Sequence, residues 1–216
     1  MNGTIYKATI LVFAATFSLL SSPLMAGLEE GIAAYQAGDL PLAYKEFRAV
    51  AETGNSDGQF NLAVMYEQGI GVASDEKQAV VWYRKSAEQG NSNAQFNLGV
   101  LYENGRGTPV DFAQARKWYR KAAAQGDALA IGNLGMLYVR GDGVKVNKIV
   151  GLALLLQSAT MDGSPANHAK RNIATIKGLT TDMVATAQQL TDQLDNAENL
   201  LTPLDQYLKT TANAAG

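Results

Sequence analysis

The chain has 216 residues, with 18 basic and 20 acidic side chains that give a formal net charge of −2. This length fits one domain or a short repeat array, and the lack of a strong basic excess argues against nucleic acid as a partner. The sequence contains no cysteine, which excludes a disulfide framework, a thiol nucleophile and the lipid-modified cysteine of a bacterial lipoprotein.

Residues 1–26 have the order of a signal peptide. Lys7 precedes an apolar run over residues 8–20, and small residues follow. The run is shorter than the roughly 20 residues that cross a bilayer. We therefore predict a signal peptide cleaved after Ala26, a periplasmic or secreted protein, and no membrane span after cleavage. Leu24 is larger than the residue usually found two places before such a cut, so an uncleaved inner-membrane anchor is the alternative.

A repeat with a spacing of 36 residues follows. Residues 51–86 and 87–122 align almost residue by residue, and a third copy begins at residue 123. Periods of this size mark arrays of helical hairpins. We predict a solenoid over residues 27–163, composed of a first hairpin at 28–50 and repeats near 51–86, 87–122 and 123–158.

Each repeat contains two helical patterns, which we name helix A and helix B. In helix A, a leucine, a small residue and a tyrosine share one face, as in Leu62, Ala63 and Tyr66. In helix B, an alanine, an aromatic residue and a second alanine recur, as in Ala79, Tyr83 and Ala87. The first hairpin has the same columns with a shorter loop.

Glycine pairs lie between helix A and helix B in GIGV, GRGT and GDGV. A dinucleotide-binding fingerprint requires a third glycine and a preceding strand, and neither is present. Each pair is instead followed by a residue that can cap helix B, namely Asp75, Asp111 or Asn147. Gln78 and Gln114 are spaced to complete capping boxes in two copies. The pairs are therefore predicted to be turns between helices.

The tail is predicted to close the array. A solenoid has two open ends that need a polar cover, and we assign residues 164–209 to C-terminal capping helices and 210–216 to a flexible tail. Thr180 can cap a helix whose apolar stripe includes Leu190 and Leu194. The alternative is that this stripe is a dimer seam. We expect a monomer or a weak dimer.

The repeat pattern AxxGxxxAxxxLGxxYxxGxGVxxDxxxAxxWYxxAA resembles the Sel-one-like repeat, a relative of the tetratricopeptide repeat. The second copy carries it at Ala87, Gly90, Ala94, Leu98, Gly99, Tyr102, Gly105, Gly107, Asp111, Ala115, Trp118, Tyr119 and Ala123. The resemblance implies an all-α, right-handed α/α solenoid of helical hairpins. It also implies an adaptor or scaffold that binds a protein or peptide, in bacterial envelope signalling, cell-surface processes or host interaction.

In proteins of this family the A helices line the concave side, so the resemblance places a candidate protein-binding groove on them. The candidates are in-register residues away from the leucine–tyrosine face: Phe60, Val64, Glu67, Phe96, Val100 and Glu103, with the asparagine column Asn61, Asn97 and Asn133. The alternative is that the phenylalanines fill space between adjacent A helices and the asparagines hydrogen-bond to loop or backbone groups of the next hairpin. A second column, Arg48, Arg84 and Arg120, is either a stripe for an acidic partner or a solvated outer face.

The sequence does not predict an enzyme. His168 is the only histidine, and no paired nucleophile and base were identified, so no catalytic, metal-binding or cofactor-binding residue is assigned. Two alternatives remain. One is a periplasmic β-lactam-binding or β-lactam-hydrolysing protein, because related cysteine-rich repeat proteins have been linked to that chemistry. The other is a structural homo-oligomer formed through the tail.

Overall fold

A computed structural model of the chain describes residues 23–213. These residues form eleven α-helices and no strands, which confirms the all-α class. The helices are α1 Pro23–Ala37, α2 Leu40–Glu52, α3 Ser56–Gln68, α4 Glu76–Glu88, α5 Ser92–Asn104, α6 Phe112–Ala123, α7 Ala128–Arg140, α8 Lys148–Met161, α9 Ala169–Ile173, α10 Thr181–Asp195 and α11 Leu201–Asn213. The predicted signal peptide lies outside the described residues except for its last four, which begin α1.

The described residues divide into two compact units, with the boundary between Val110 and Asp111. The N-terminal unit contains α1 to α5. Within it each helix packs on the next one along the chain. Large side chains such as Phe47, Phe60 and Tyr83 are fully buried between them. The connection between α1 and α2 is short, as predicted, because Asp39 follows α1 almost at once and caps α2.

The predicted N-caps of helix B are confirmed in all three repeats. The side-chain oxygens of Asp75, Asp111 and Asn147 accept hydrogen bonds from the backbone three residues later, at 3.1, 2.9 and 3.0 Å. The predicted capping box at Gln78 is wrong, however. The Asp75 N–H donates to the Tyr66 carbonyl oxygen at 2.9 Å, so the inter-helix loop has already satisfied the donor that Gln78 was expected to bond.

The two glycines of each pair have different roles. The first ends helix A in the left-handed conformation, with φ of +70° at Gly69 and +67° at Gly105. The second also has positive φ and lies against the start of the preceding helix B: a Cβ atom on Gly107 would overlap the Glu76 carbonyl group. The glycine pair is therefore a turn that packs one repeat closely on the helix before it.

The C-terminal unit contains α6 to α11. Here α7 packs on α6 and α8, and α8 also contacts α9 and α10. Leu190 and Leu194 of α10 are each only 2% exposed, and Thr191 Oγ1 donates to the Ala153 carbonyl oxygen at 3.2 Å. The apolar stripe of α10 thus lies within the unit as a cover for α8. This confirms the predicted capping helices.

Two details of the tail differ from the sequence-based expectation. Before the Thr180-capped helix, the segment assigned to capping helices forms only the short α9, where His168 provides no side-chain cap and a turn begins at Ala174. Helix α11 continues to Asn213, into the segment expected to be flexible. Among the described helices, none has the length and the apolar character that crossing a bilayer would require.

Candidate functional site

All nine residues of the predicted groove are buried. None of their side chains exceeds 8% exposure, and Val64, Phe96 and Val100 are fully inaccessible. The cause is that helix α3 is enclosed on every side from Gly58 to Met65. These residues therefore do not form an open apolar surface in the described chain, contrary to the expectation that one face of helix A would be free.

The groove phenylalanine Phe60 shows what the buried side chains do. Its ring lies against the ring of Tyr83 on α4, with centroids 5.8 Å apart and planes inclined by 52°. This is favourable aromatic packing inside a core. The alternative that the sequence left open was that these phenylalanines fill space between adjacent A helices, whereas the ring contact of Phe60 is with helix B of its own repeat.

The asparagine column bonds to the tyrosine column of helix B. Asn97 Nδ2 donates to the Tyr83 hydroxyl at 3.2 Å, and Asn133 Nδ2 donates to the Tyr119 hydroxyl at the same distance. Asn61 stands in the same register opposite Phe47, which has no hydroxyl. The amides of Asn97 and Asn133 are therefore bonded by the preceding helix B rather than by a ligand.

A buried charge cluster surrounds Glu67, another of the predicted groove residues. Tyr83 donates its hydroxyl proton to Glu67 Oε2 at 2.7 Å, and Arg106 Nη1 donates to Glu67 Oε1 at 2.8 Å. Arg106 also contacts Glu76 at 2.6 Å. Burial, reinforced by the Glu67 charge, raises the pKa of Tyr83 well above its usual value. Both carboxylate oxygens of Glu67 are thus engaged in joining α3, α4 and the GRGT loop.

One serine–lysine pair at the S-x-x-K spacing of serine β-lactamases is present, Ser74 and Lys77, and the sequence interpretation missed it. Its contacts are those of a turn. The Ser74 hydroxyl donates to the Glu67 carbonyl oxygen at 3.3 Å, and the Lys77 N–H donates to Asp75 Oδ1 at 3.0 Å. The described hydrogen bonds therefore assign this segment to the capped start of α4.

The arginine column has an intramolecular partner in each repeat. Arg48 pairs with Glu52 at 2.8 Å on an exposed helix face, and Arg84 Nη2 donates to the Tyr102 hydroxyl at 2.6 Å. Arg120 Nη2 reaches both carboxylate oxygens of Asp205 on α11, at 2.8 and 2.7 Å. The column is not a uniform stripe, since only its third member binds a carboxylate from a distant part of the chain.

Two adjacent clefts open beside Arg116 in the C-terminal unit. One, of about 530 Å³, lies between α6 and α11, and the other, of about 570 Å³, extends along the loop between α7 and α8. They share Arg116, Tyr138 and Leu208 as lining residues. We name the pair the α6 cleft. Its walls combine apolar side chains with a row of basic ones.

A smaller cleft of about 280 Å³ lies near the single histidine, His168. Asn167, which lines it, donates to Ser158 and to the Asp162 carbonyl oxygen and so holds the turn before α9. In residues 23–213 there is no group of three or more histidine and acidic side chains placed to hold a metal ion. The site is a shallow surface around a turn.

The Sel1 repeat model matches residues 56–91, 92–127 and 128–163. The chain belongs to the Sel1 repeat family. The matched repeats begin five residues later than the frame taken from the sequence and keep its spacing of 36. Sel1 repeats form scaffolds that are typical of protein–protein interaction and are generally not enzymes. A search of the curated proteins found no match.

The solved structures that resemble this Sel1 repeat protein include two bacterial proteins. A Sel1 repeat protein from Oxalobacter formigenes is 28% identical, with a TM-score of 0.65 over 77% of this chain and 73% of the other. A protective antigen of uropathogenic Escherichia coli strains, which displays an SLR fold, is 30% identical with a TM-score of 0.54. That match covers 86% of this chain but only 48% of the antigen. Both support the repeat fold of the described helices.

Proposed function

We propose that this protein is an exported Sel1 repeat scaffold that binds another protein or a peptide in a process at the bacterial envelope or cell surface, or in host interaction. The observation that supports this most directly is the run of three Sel1 repeats. Proteins built from such repeats offer extended surfaces rather than an enclosed substrate pocket. The polar side chains buried in the described repeats serve packing, as the Glu67 cluster illustrates.

Two observations support export. The first 26 residues have signal-peptide order, and the similar E. coli protein is a protective antigen, a kind of protein that the host immune system encounters. N-terminal sequencing of the protein from a fractionated cell should find Gly27 as the first residue, in the periplasm or the medium. An intact N-terminus in the membrane fraction would indicate the uncleaved anchor. Recovery in the cytoplasm would contradict export.

We place the partner on exposed surfaces, because the A-helix residues are buried. The described residues include exposed valines well suited to probing three of these surfaces: Val81 on α4, Val146 in the loop before α8, and Val184 on α10. A photo-crosslinking amino acid at each position would be irradiated in the native envelope fraction. A partner protein trapped repeatedly at one position supports the scaffold function and locates the surface. Irradiated and unirradiated samples that look alike at all three positions would contradict it.

A further inference from the structure

Basic side chains are concentrated in the α6 cleft. Five basic side chains line its two parts, namely Arg116, Lys117, Arg120, Lys121 and Lys145, and they face one carboxylate, that of Asp205. The whole chain, in contrast, has a formal net charge of −2. A local concentration of one sign of charge in a concave surface attracts the opposite sign.

Helix α6 differs in this respect from the other B helices. At the positions of Arg116, Lys117, Arg120 and Lys121, helix α4 has two valines, an arginine and a lysine, and α8 has leucine, alanine, leucine and glutamine. The basic row is therefore not required by the repeat. Solvated outer faces normally mix both signs of charge, whereas no acidic residue lies within α6.

The side chains on α6 are held in place rather than spread in solvent. Lys121 Nζ lies 4.5 Å from the centroid of the buried Trp118 ring and Lys117 Nζ lies 5.3 Å from it. Such cation–π contacts fix a lysine along an aromatic ring while its ammonium group remains available. Lys117 and Lys121 are both exposed, so a ligand can reach them without rearrangement of the core.

The ion pair between Arg120 and Asp205 shows that a basic side chain of the α6 cleft binds a carboxylate group. A carboxylate presented by a helix, α11, meets the guanidinium group at 2.7 and 2.8 Å. The same cleft has an apolar wall that includes Tyr138, Leu201 and Leu208. An amphipathic segment with acidic residues on one side and aliphatic residues on the other matches both walls.

We propose that the α6 cleft is the docking site for an acidic, amphipathic segment of the partner protein, with its carboxylates paired to Arg116, Lys117 and Lys121 beside the Arg120–Asp205 ion pair. This inference rests on the proposed scaffold function. The aliphatic residues of the segment contact the Tyr138–Leu208 wall, and the exposed Val146 lies at the edge of the cleft.

The first test uses the full chain and a fluorescein-labelled peptide of glutamate and leucine at helical spacing, with a lysine–leucine peptide as its opposite. Fluorescence anisotropy should show binding of the acidic peptide only, weakening as salt is raised. Lys117→Glu with Lys121→Glu should weaken binding about tenfold, which corresponds to about 1.4 kcal/mol. Equal binding of both peptides, or an unchanged affinity in the double variant, would overturn the proposal.

The matched control is Lys77→Glu with Lys85→Glu on α4. Lys85 is the repeat equivalent of Lys121 and lies 3.8 Å from the centroid of Trp82. This variant makes the same change of charge on another B helix, so it should bind the acidic peptide as the wild type does. A loss as large as in the α6 variant would mean that only the net charge matters, and would overturn the proposal.

The second test identifies the natural segment. A photo-crosslinker at Val146 should trap a partner whose crosslinked peptide, sequenced by mass spectrometry, is rich in Asp and Glu, and the α6 variant should lose this adduct. A neutral or basic segment, or equal trapping by the α6 variant, overturns the cleft but leaves the scaffold function intact if Val81 or Val184 traps a partner. Absence of adducts at all three positions contradicts both the docking site and the scaffold function.

Binding of phosphatidylglycerol vesicles in place of the peptide would assign the cleft to a membrane surface and also overturn the proposal.

Discussion

Helix α4 and helix α8 occupy the same place in their repeats, yet α4 carries Tyr83, Arg84 and Lys85 where α8 carries Leu155, Leu156 and Gln157. The surroundings explain the difference. The Tyr83 hydroxyl bonds to Glu67, and Arg84 and Lys85 are exposed. The corresponding surface of α8 is covered by α10.

The residue that bonds to Tyr83 changes in the repeat where Tyr83 is replaced. Glu67, which accepts the Tyr83 hydroxyl, becomes Val139 two repeats later, where Tyr83 has become Leu155. A buried tyrosine and a buried carboxylate stabilise the fold only as a bonded pair, because either one alone would leave an unsatisfied polar group. The repeat thus fixes the backbone, and the neighbours of each helix decide whether its interior is polar or apolar.

The largest loss in the free energy of unfolding should come from disrupting the packing of α10 on α8. Leu190→Gln with Leu194→Gln places two amides in a site where each leucine is 2% exposed, and each should cost about 2–5 kcal/mol. Chemical denaturation should show the loss, and hydrogen exchange should show faster exchange in α8 and α10. Val184→Gln, on an exposed part of the same helix, should change stability by less than about 0.5 kcal/mol. Unchanged stability together with dissociation of a dimer would instead support the tail as an oligomer seam.

Replacing the second glycine of a loop tests how closely that loop packs on the start of the preceding helix B. Gly107→Ala forces a left-handed conformation on alanine and places its Cβ atom against the Glu76 carbonyl group. We expect a loss of about 2–4 kcal/mol in the free energy of unfolding. Gly54→Ala is the control, since Gly54 also has positive φ but has open space around it. An equal loss in the two variants would show that the close approach contributes nothing.

The fold could be predicted from the sequence because its signals are local and repeated. The 36-residue spacing, the helix-B caps and the glycine pairs recur in each copy, so three copies support the prediction at each repeat position. The candidate groove could not be predicted in the same way. A helical pattern shows which residues share a face, but it does not show whether a second face is also covered.

One signal for the enclosed A helices was present in the sequence. Neither α3 nor α5 contains lysine or arginine, and their polar residues include amides that fit hydrogen bonds to backbone, such as Gln59 Nε2 to the Ala51 carbonyl oxygen at 3.3 Å. An exposed helix face normally carries basic residues as well. The α6 cleft had no such signal, because Arg120 and Asp205 lie 85 residues apart and only the folded tail brings them together.

Tyr83→Phe tests the polar interior of the α3–α4 hairpin. The ring and its contact with Phe60 remain, but Glu67 loses a 2.7 Å hydrogen bond and Asn97 loses its tyrosine acceptor. We expect a loss of about 1–3 kcal/mol, measured by urea unfolding at neutral pH. In contrast, Leu155→Met in α8 keeps an apolar site apolar and should cost less than about 1.5 kcal/mol. If Tyr83→Phe proves neutral, the hydrogen bonds of the Tyr83 hydroxyl do not stabilise the hairpin.

The smallest effect concerns alkaline pH and the pair formed by Tyr44 and Tyr66. Their hydroxyl groups are 2.9 Å apart, and burial together with this hydrogen bond raises the pKa of Tyr66 to about 12. In the unfolded chain the Tyr66 hydroxyl ionises near pH 10. Between pH 10 and 12 the folded state therefore keeps a proton that the unfolded state has lost. The stability from this group is therefore complete below about pH 10 and is lost as the pH rises towards 12.

Tyr66→Phe should remove that part of the alkaline loss, so that stability falls less steeply over this pH range than in the wild type. Tyr44→Phe should lower the pKa of Tyr66 only part of the way, because burial, the larger cause, remains. Ultraviolet absorbance during an alkaline titration reports the tyrosine ionisation, and denaturation at each pH reports the stability. A pKa of Tyr66 that Tyr44→Phe leaves unchanged would show that the hydroxyl pair adds nothing to burial.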